Sequence, residues 1–136
     1  MIPNTQWMRE KFTILNRKYF HNLLQTPTFS ENCPQGYCGY YQPNARYNRI
    51  TRKIYQIIDM GTIYLNTSLD LSFNMYISIL IHEMIHMYIN TVLKTYPIND
   101  HGIIFNNIAS SISKDGWDVF VQGIYMSDNL KEKIGG

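Results

Sequence analysis

The sequence predicts one α+β domain over residues 1–136, and three observations carry that expectation. Apolar residues recur at three-to-four spacing near the start of the chain and again after residue 72. Between those stretches lie short β-branched and aromatic runs broken by turn residues. The chain has 136 residues, 45% of them apolar and 16% charged, enough for one core and too short for two comfortable ones.

The first element is a helix over Asn4 to Leu24. Trp7, Met8, Lys11, Phe12, Leu15, Tyr19, Leu23 and Leu24 form one stripe along it. Pro27 is the expected stop. The next stretch, to Arg52, is turn-rich, with Pro34, Gly36, Gly39 and Pro43 among aromatic residues, and Tyr37 to Gln42 reads as a short strand. Ile54 to Ile58 is a second strand. Asp59-Met60-Gly61 reads as a turn, and Thr62 to Asn66 as a third strand with Ile63 and Leu65 on one face. A small antiparallel or mixed sheet results.

Then the period changes. Ser72 is the expected N-cap of a central helix running to about Lys94, and Pro97 limits its continuation. Asp100 is the expected N-cap of a following helix to about Ser113, with Ile104, Ile108 and Ile112 in one row and Gly116 beyond its end. Val119 to Met126 reads as a last strand or an extended tail.

Composition excludes some functions. A net charge of +2 gives no case by itself for a nucleic-acid or membrane partner. The apolar run Phe73 to Leu93 contains His82, Glu83 and His86. Each charged group at a bilayer centre costs roughly 2.5–3.5 kcal/mol, so a buried central helix is expected and a membrane span is not. Charges at Arg9, Glu10, Lys11, Arg17 and Lys18 interrupt any signal-peptide pattern, and a cytoplasmic location is the expectation. Two cysteines, Cys33 and Cys38, are too few for a disulfide scaffold or a four-cysteine metal site, and ordinary thiols are expected.

The chemistry is concentrated in His82-Glu83-Met84-Ile85-His86. On a helix, residues four apart share a face one turn apart, so the two imidazoles converge on one point. Zinc takes such nitrogen ligands at about 2.0–2.1 Å. Glu83 borders that face and is placed to touch a metal-bound water. With four histidines and four glutamates in the chain, chance yields this pattern roughly 0.003 times. Two buried histidines hydrogen-bonded in a core, with Glu83 as an ion-pair partner, is the bland alternative. It buries three ionisable groups with little to pair them.

A catalytic zinc needs a third protein ligand and an open fourth position. His101 is the expected third. The helix carries the chain about 12 Å from His86 to Lys94. The residues from Thr95 to His101 can span at most about 23 Å, so the return is feasible. Gly102 beside His101 allows close backbone approach. Asp100, Asp115 and Asp118 compete for the place. One Zn2+ per chain is the expected cofactor.

The segment Ile81-His82-Glu83-Met84-Ile85-His86-Met87-Tyr88, followed by Asp100-His101-Gly102-Ile103-Ile104-Phe105, resembles the SprT-like metallopeptidases, which include Spartan. Asn16-Arg17-Lys18-Tyr19-Phe20 and Ile63-Tyr64-Leu65-Asn66 are similar to flanking parts of that family, so the resemblance covers about Phe12 to Ser113. It implies a zincin-like fold in which His82, His86 and His101 hold zinc and Glu83 is the general base. It also implies a protein or peptide substrate; Spartan-type members cut proteins crosslinked to DNA and are stimulated by DNA. No cysteine follows the motif here, whereas longer members carry a cysteine-rich zinc ribbon there.

Two further features admit a nucleic-acid reading. Arg46, Arg49, Arg52 and Lys53 form a basic cluster that fits phosphate contacts, or a solvated loop. Tyr37, Tyr40, Tyr41 and Tyr47 fit base stacking, or the core and rim of a sheet. For the expected peptidase, Tyr96, Tyr125 and His21 are the candidate oxyanion donors. The strand Ile63 to Asn66 is the expected site of pairing with an extended substrate. The rivals are a zinc-stabilised binding module without turnover and a nucleic-acid-binding protein with a vestigial protease site.

Overall fold

A computed structural model describes residues 3–97 and 99–119. Its elements are α1 (Thr5–Tyr19), β1 (Thr28–Ser30), β2 (Gly39–Tyr47), β3 (Ile54–Leu65), α2 (Phe73–Thr91) and α3 (Ile103–Ser113). The α+β expectation holds, with three helices and one mixed three-stranded sheet among the described residues. The sheet order is β1-β3-β2, with β1 parallel and β2 antiparallel to β3.

Helix α1 begins where Asn4 accepts the Trp7 amide at 2.8 Å, a side-chain cap for an otherwise orphaned donor. It ends at Tyr19, well before Pro27. The cause is Asn16, a buried side chain that donates to the Leu24 carbonyl (2.8 Å) and accepts from the Leu24 amide (3.2 Å). The chain turns back through His21 and Asn22, both in the left-handed region with φ of 53° and 59°. Leu23, expected on the apolar stripe, is therefore more than half exposed.

The two strands expected at Ile54 to Ile58 and Thr62 to Asn66 are one continuous strand, β3. Asp59-Met60-Gly61 is a bulge and not a chain reversal. Gly61, at φ 76°, donates its amide to Asp59 Oδ1 (2.8 Å), and Asn44 across the ladder donates to Asp59 Oδ2 (2.7 Å). The register slips on both sides of Asn44, as an inserted residue requires. The reversal into β3 lies earlier, at Asn48–Lys53, where the Asn48 side chain accepts the amides of Ile50 and Thr51 at 2.9 Å each. β1 was not anticipated; three residues are too few to carry a period.

Helix α2 starts as expected, with Ser72 accepting the Met75 amide. It ends at Thr91, three residues short of the expected limit, and Lys94 takes the left-handed conformation beyond it. The helix is apolar on nearly all sides because it has neighbours on several. β2 and β3 pack against it, as do α1 and α3. Ile79, Leu80, Ile81, Met84, Ile85 and Met87 are fully buried there, as are Ile63 and Leu65 of β3. No described helix is long and apolar enough to cross a membrane. Helix α3 buries Phe105, Ala109 and Ile112, and the expected row of isoleucines is off by about one position, leaving Ile104 partly exposed. Val119 is buried; the rest of the expected tail, including Tyr125, lies outside the described residues.

Candidate metal centre

One turn of α2 separates His82 and His86, and the imidazoles share a face as the spacing requires. His101 arrives from a different kind of structure. It was expected on the first turn of the following helix, with Asp100 as the cap. It stands instead on a turn just ahead of α3, whose N-cap is Gly102. Asn99 shapes that turn: its side chain accepts the His101 amide at 3.1 Å and its carbonyl accepts the Gly102 amide at 3.1 Å. Asn106 closes it by donating to the His101 carbonyl.

The three side chains meet. His101 Nε2 lies 3.2 Å from His82 Nε2 and 3.2 Å from His86 Nε2. Hydrogen bonds alone do not account for this. His82 directs Nδ1 at the Val119 carbonyl, 3.0 Å away, so its single neutral-state proton sits there and Nε2 presents a lone pair. His101 Nε2 has at most one proton to share between two neighbours, which leaves lone pairs facing each other. A cation resolves that conflict. Tetrahedral ligands about 2.05 Å from an ion lie about 3.3 Å apart, close to both observed separations. These three histidines are the group able to hold a metal ion among the described residues.

Their protonation suits the task. Burial drives the pKa of His82 down to about 4, against a smaller upward pull from the Val119 carbonyl. Burial lowers His86 well below the usual range, reinforced by His82 and His101. Burial also lowers His101, opposed by Asp100. All three are neutral near pH 7 and have nitrogen lone pairs to give. Phe105, itself buried, packs against every ring, with centroids 4.8, 4.7 and 5.0 Å from His82, His86 and His101. It fixes the ring planes and keeps water from behind them.

Glu83 is 1% exposed, and its Oε2 has no hydrogen-bond partner among the described residues. Burial pushes its pKa up to about 8. An unpartnered buried carboxyl is costly and calls for a role. Gly39 makes room for it. A Cβ at that position would lie 2.5 Å from Ile79 Cγ2 and 3.1 Å from Glu83 Oε2. The glycine lets the start of β2 approach α2 where the carboxyl sits, and nothing in the sequence beyond a glycine near a strand signals that.

Glu83, His86 and His101 open into a cleft of about 650 Å³ between the C-terminal half of α2 and the β2–β3 hairpin. Tyr37, Tyr40 and Tyr47 line it, as do Arg52, Lys53, Tyr96 and Asp100. The basic cluster thus divides: Arg52 and Lys53 line the cleft, whereas Arg46 and Arg49 do not. Tyr41 touches the cleft but is largely buried in the core, its hydroxyl donating to the Met60 carbonyl.

Several expected roles go elsewhere. Asp115 accepts from the Tyr19 hydroxyl, and neither it nor Asp118 belongs to the ligand group. Asp100 stands beside His101 outside the ligand group. Cys33 and Cys38 form no disulfide with one another and also stand outside it. Of the three candidate oxyanion donors, Tyr96 lines the cleft, His21 sits exposed beyond α1, and Tyr125 is not among the described residues. The strand expected to pair with substrate is the central one, held by β1 at Thr62–Tyr64 and by β2 on its other edge. β2 is an edge strand of the described sheet, and Tyr40 to Pro43 of that strand line the cleft.

Comparison with protein-family models, with curated proteins and with solved structures finds no match.

Proposed function

We propose that the chain is a zinc-dependent endopeptidase of the SprT-like, zincin type. One observation carries the reading: three neutral imidazoles converge, His101 at a tetrahedral-edge distance from each of the other two, beside a buried carboxyl whose Oε2 has no hydrogen-bond partner among the described residues, at the head of an open cleft. The ring nitrogens suit zinc, which takes imidazole readily and is indifferent to oxidation state. Bound there, zinc would lower the pKa of a coordinated water toward about 7 and polarise the scissile carbonyl.

The chain's own groups do the rest. Glu83 takes a proton from the attacking water and passes it to the departing amine nitrogen. Its apolar surroundings raise its proton affinity in the metal-free protein, and a bound cation would draw it back toward the ionised form that accepts a proton. The substrate is an extended polypeptide laid along the edge strand β2, recognised through its backbone. Proteins bound to DNA are the subset that the family resemblance suggests, with Arg52 and Lys53 as the groups that would meet a polyanion.

A zinc-stabilised module without turnover is the rival. It gives the buried Glu83 carboxyl nothing to do, and a neutral isostere would serve better there. Glu83→Gln separates the two. The variant is expected to retain zinc and lose proteolysis of an unfolded protein by at least about 10²-fold. Undiminished cleavage would remove Glu83 from its role, and a zinc-loaded parent protein that cuts no polypeptide would favour the module.

A further inference from the structure

After α3 the chain crosses back over the molecule, and four hydrogen bonds pin it. At one end the Tyr19 hydroxyl, in the last residue of α1, donates to Asp115 Oδ2 at 2.6 Å. The same hydroxyl accepts from Trp117 Nε1 at 2.8 Å. At the other end the Asp118 amide donates to Ser78 Oγ at 3.2 Å, and the Val119 carbonyl accepts from His82 Nδ1 at 3.0 Å. Ser78 lies one turn before His82 on α2, and its own hydroxyl proton goes to the Asn74 carbonyl, leaving its lone pairs for the strap. The Val119 side chain is wholly buried.

We infer that residues Asp115–Val119 form a strap that fixes the tautomer of His82, and that Tyr19 is its remote latch. A neutral imidazole carries one proton. While the Val119 carbonyl holds that proton on Nδ1, the lone pair stays on Nε2, where the other two imidazoles converge. If the carbonyl drifts, the proton is free to move to Nε2 and block the ligand position. The carbonyl is held through the residues that lead to it: Ser78 fixes Asp118 just before it, and the Tyr19 hydroxyl fixes Asp115 and Trp117 further back. The Lys18–Asp115 pair, at 3.8 Å and largely exposed, adds little. Tyr19, Trp117 and Ser78 are thus positioning residues for a centre that none of them touches. The metal consequence rests on the three-histidine reading; the tautomer consequence does not.

Tyr19→Phe tests this, since it keeps the ring and removes only the hydroxyl. Zinc affinity by chelator competition is expected to weaken by about 10-fold. Nitrogen-15 NMR of the metal-free protein is expected to show His82 shifting from a pure Nδ1-protonated imidazole to a mixture of tautomers. Trp117→Phe, which deletes the donor to the same hydroxyl, is expected to shift both readouts the same way and serves if the first variant folds poorly. A lower thermal midpoint with an unchanged His82 signature would overturn the proposal by making the contacts merely structural, as would unchanged affinity in both variants. A parent protein that binds no zinc would sink the three-histidine reading, while the tautomer measurement would still decide the strap.

Discussion

His82 and His101 reach the same point by opposite routes, and the difference between them explains much of this molecule. His82 is 1% exposed, sits mid-helix, and has its second nitrogen held by the Val119 carbonyl. His101 is half-buried on a turn shaped by Asn99 and Asn106. The first is placed by a core that would exist without a metal. The second is placed by a few local hydrogen bonds at the lip of a cleft. A centre built this way has one wall that belongs to the fold and one that belongs to the surface. On the proposed reading, substrate access and ligand exchange fall on the second.

The sharpest way to break that contrast is to remove each ring in turn. Both His82→Ala and His101→Ala are expected to weaken zinc binding strongly, leaving a site that fills only at high zinc concentration. In the metal-free state they should part company. His82→Ala leaves a cavity and an unpaired buried carbonyl, and is expected to cost about 2–4 kcal/mol in denaturant unfolding. His101→Ala is expected to cost less than about 1 kcal/mol. Equal costs would mean the turn is as integral to the fold as the helix.

Gly39→Ala probes the fold-side wall from the sheet. The added methyl meets Ile79 and crowds Glu83 Oε2, so the strand must withdraw. A loss of about 1–3 kcal/mol is expected, with proteolysis falling further than zinc affinity because the displaced group is the proposed base and not a ligand. A variant of normal stability and activity would show that β2 has slack there.

The helical half of this centre was legible in the sequence because its geometry is local. A four-residue spacing fixes which side chains share a face, and Ser72 announced where α2 begins. His101 could be picked by chain reach and by elimination among four histidines, but not its setting. The choice between Asp100 and Gly102 as the cap depends on the hydrogen bonds of Asn99, which propensity does not reveal. Gly61 misled for a related reason. Asp-Met-Gly is a turn signal, and the same left-handed glycine also serves a bulge in a strand that runs on. Gly39, Ser78 and Val119 were invisible as site residues, since each acts through contacts between segments far apart in the chain.

A smaller effect concerns pH in the metal-free protein. Glu83 has its folded-state pKa near 8, above the ordinary 4.5, because burial favours the neutral form. The fold therefore holds a proton that the unfolded chain gives up. That contribution is complete below pH 4.5 and is lost as pH climbs through 8. The lowered histidines act in the opposite sense and weaken the fold as pH drops below 6.5. Above 6.5 the carboxyl dominates this site, so stability should fall between pH 6.5 and 8 by up to about 2 kcal/mol. Glu83→Gln should flatten that slope; a slope surviving in the variant would assign it to another group.

The most direct measurement is X-ray absorption at the zinc edge on protein loaded with one equivalent of the metal. Three nitrogen ligands and one oxygen at about 2.0–2.1 Å are expected, with one nitrogen missing in His101→Ala. A four-ligand shell containing sulfur, or a shell unchanged by that substitution, would contradict the centre described here.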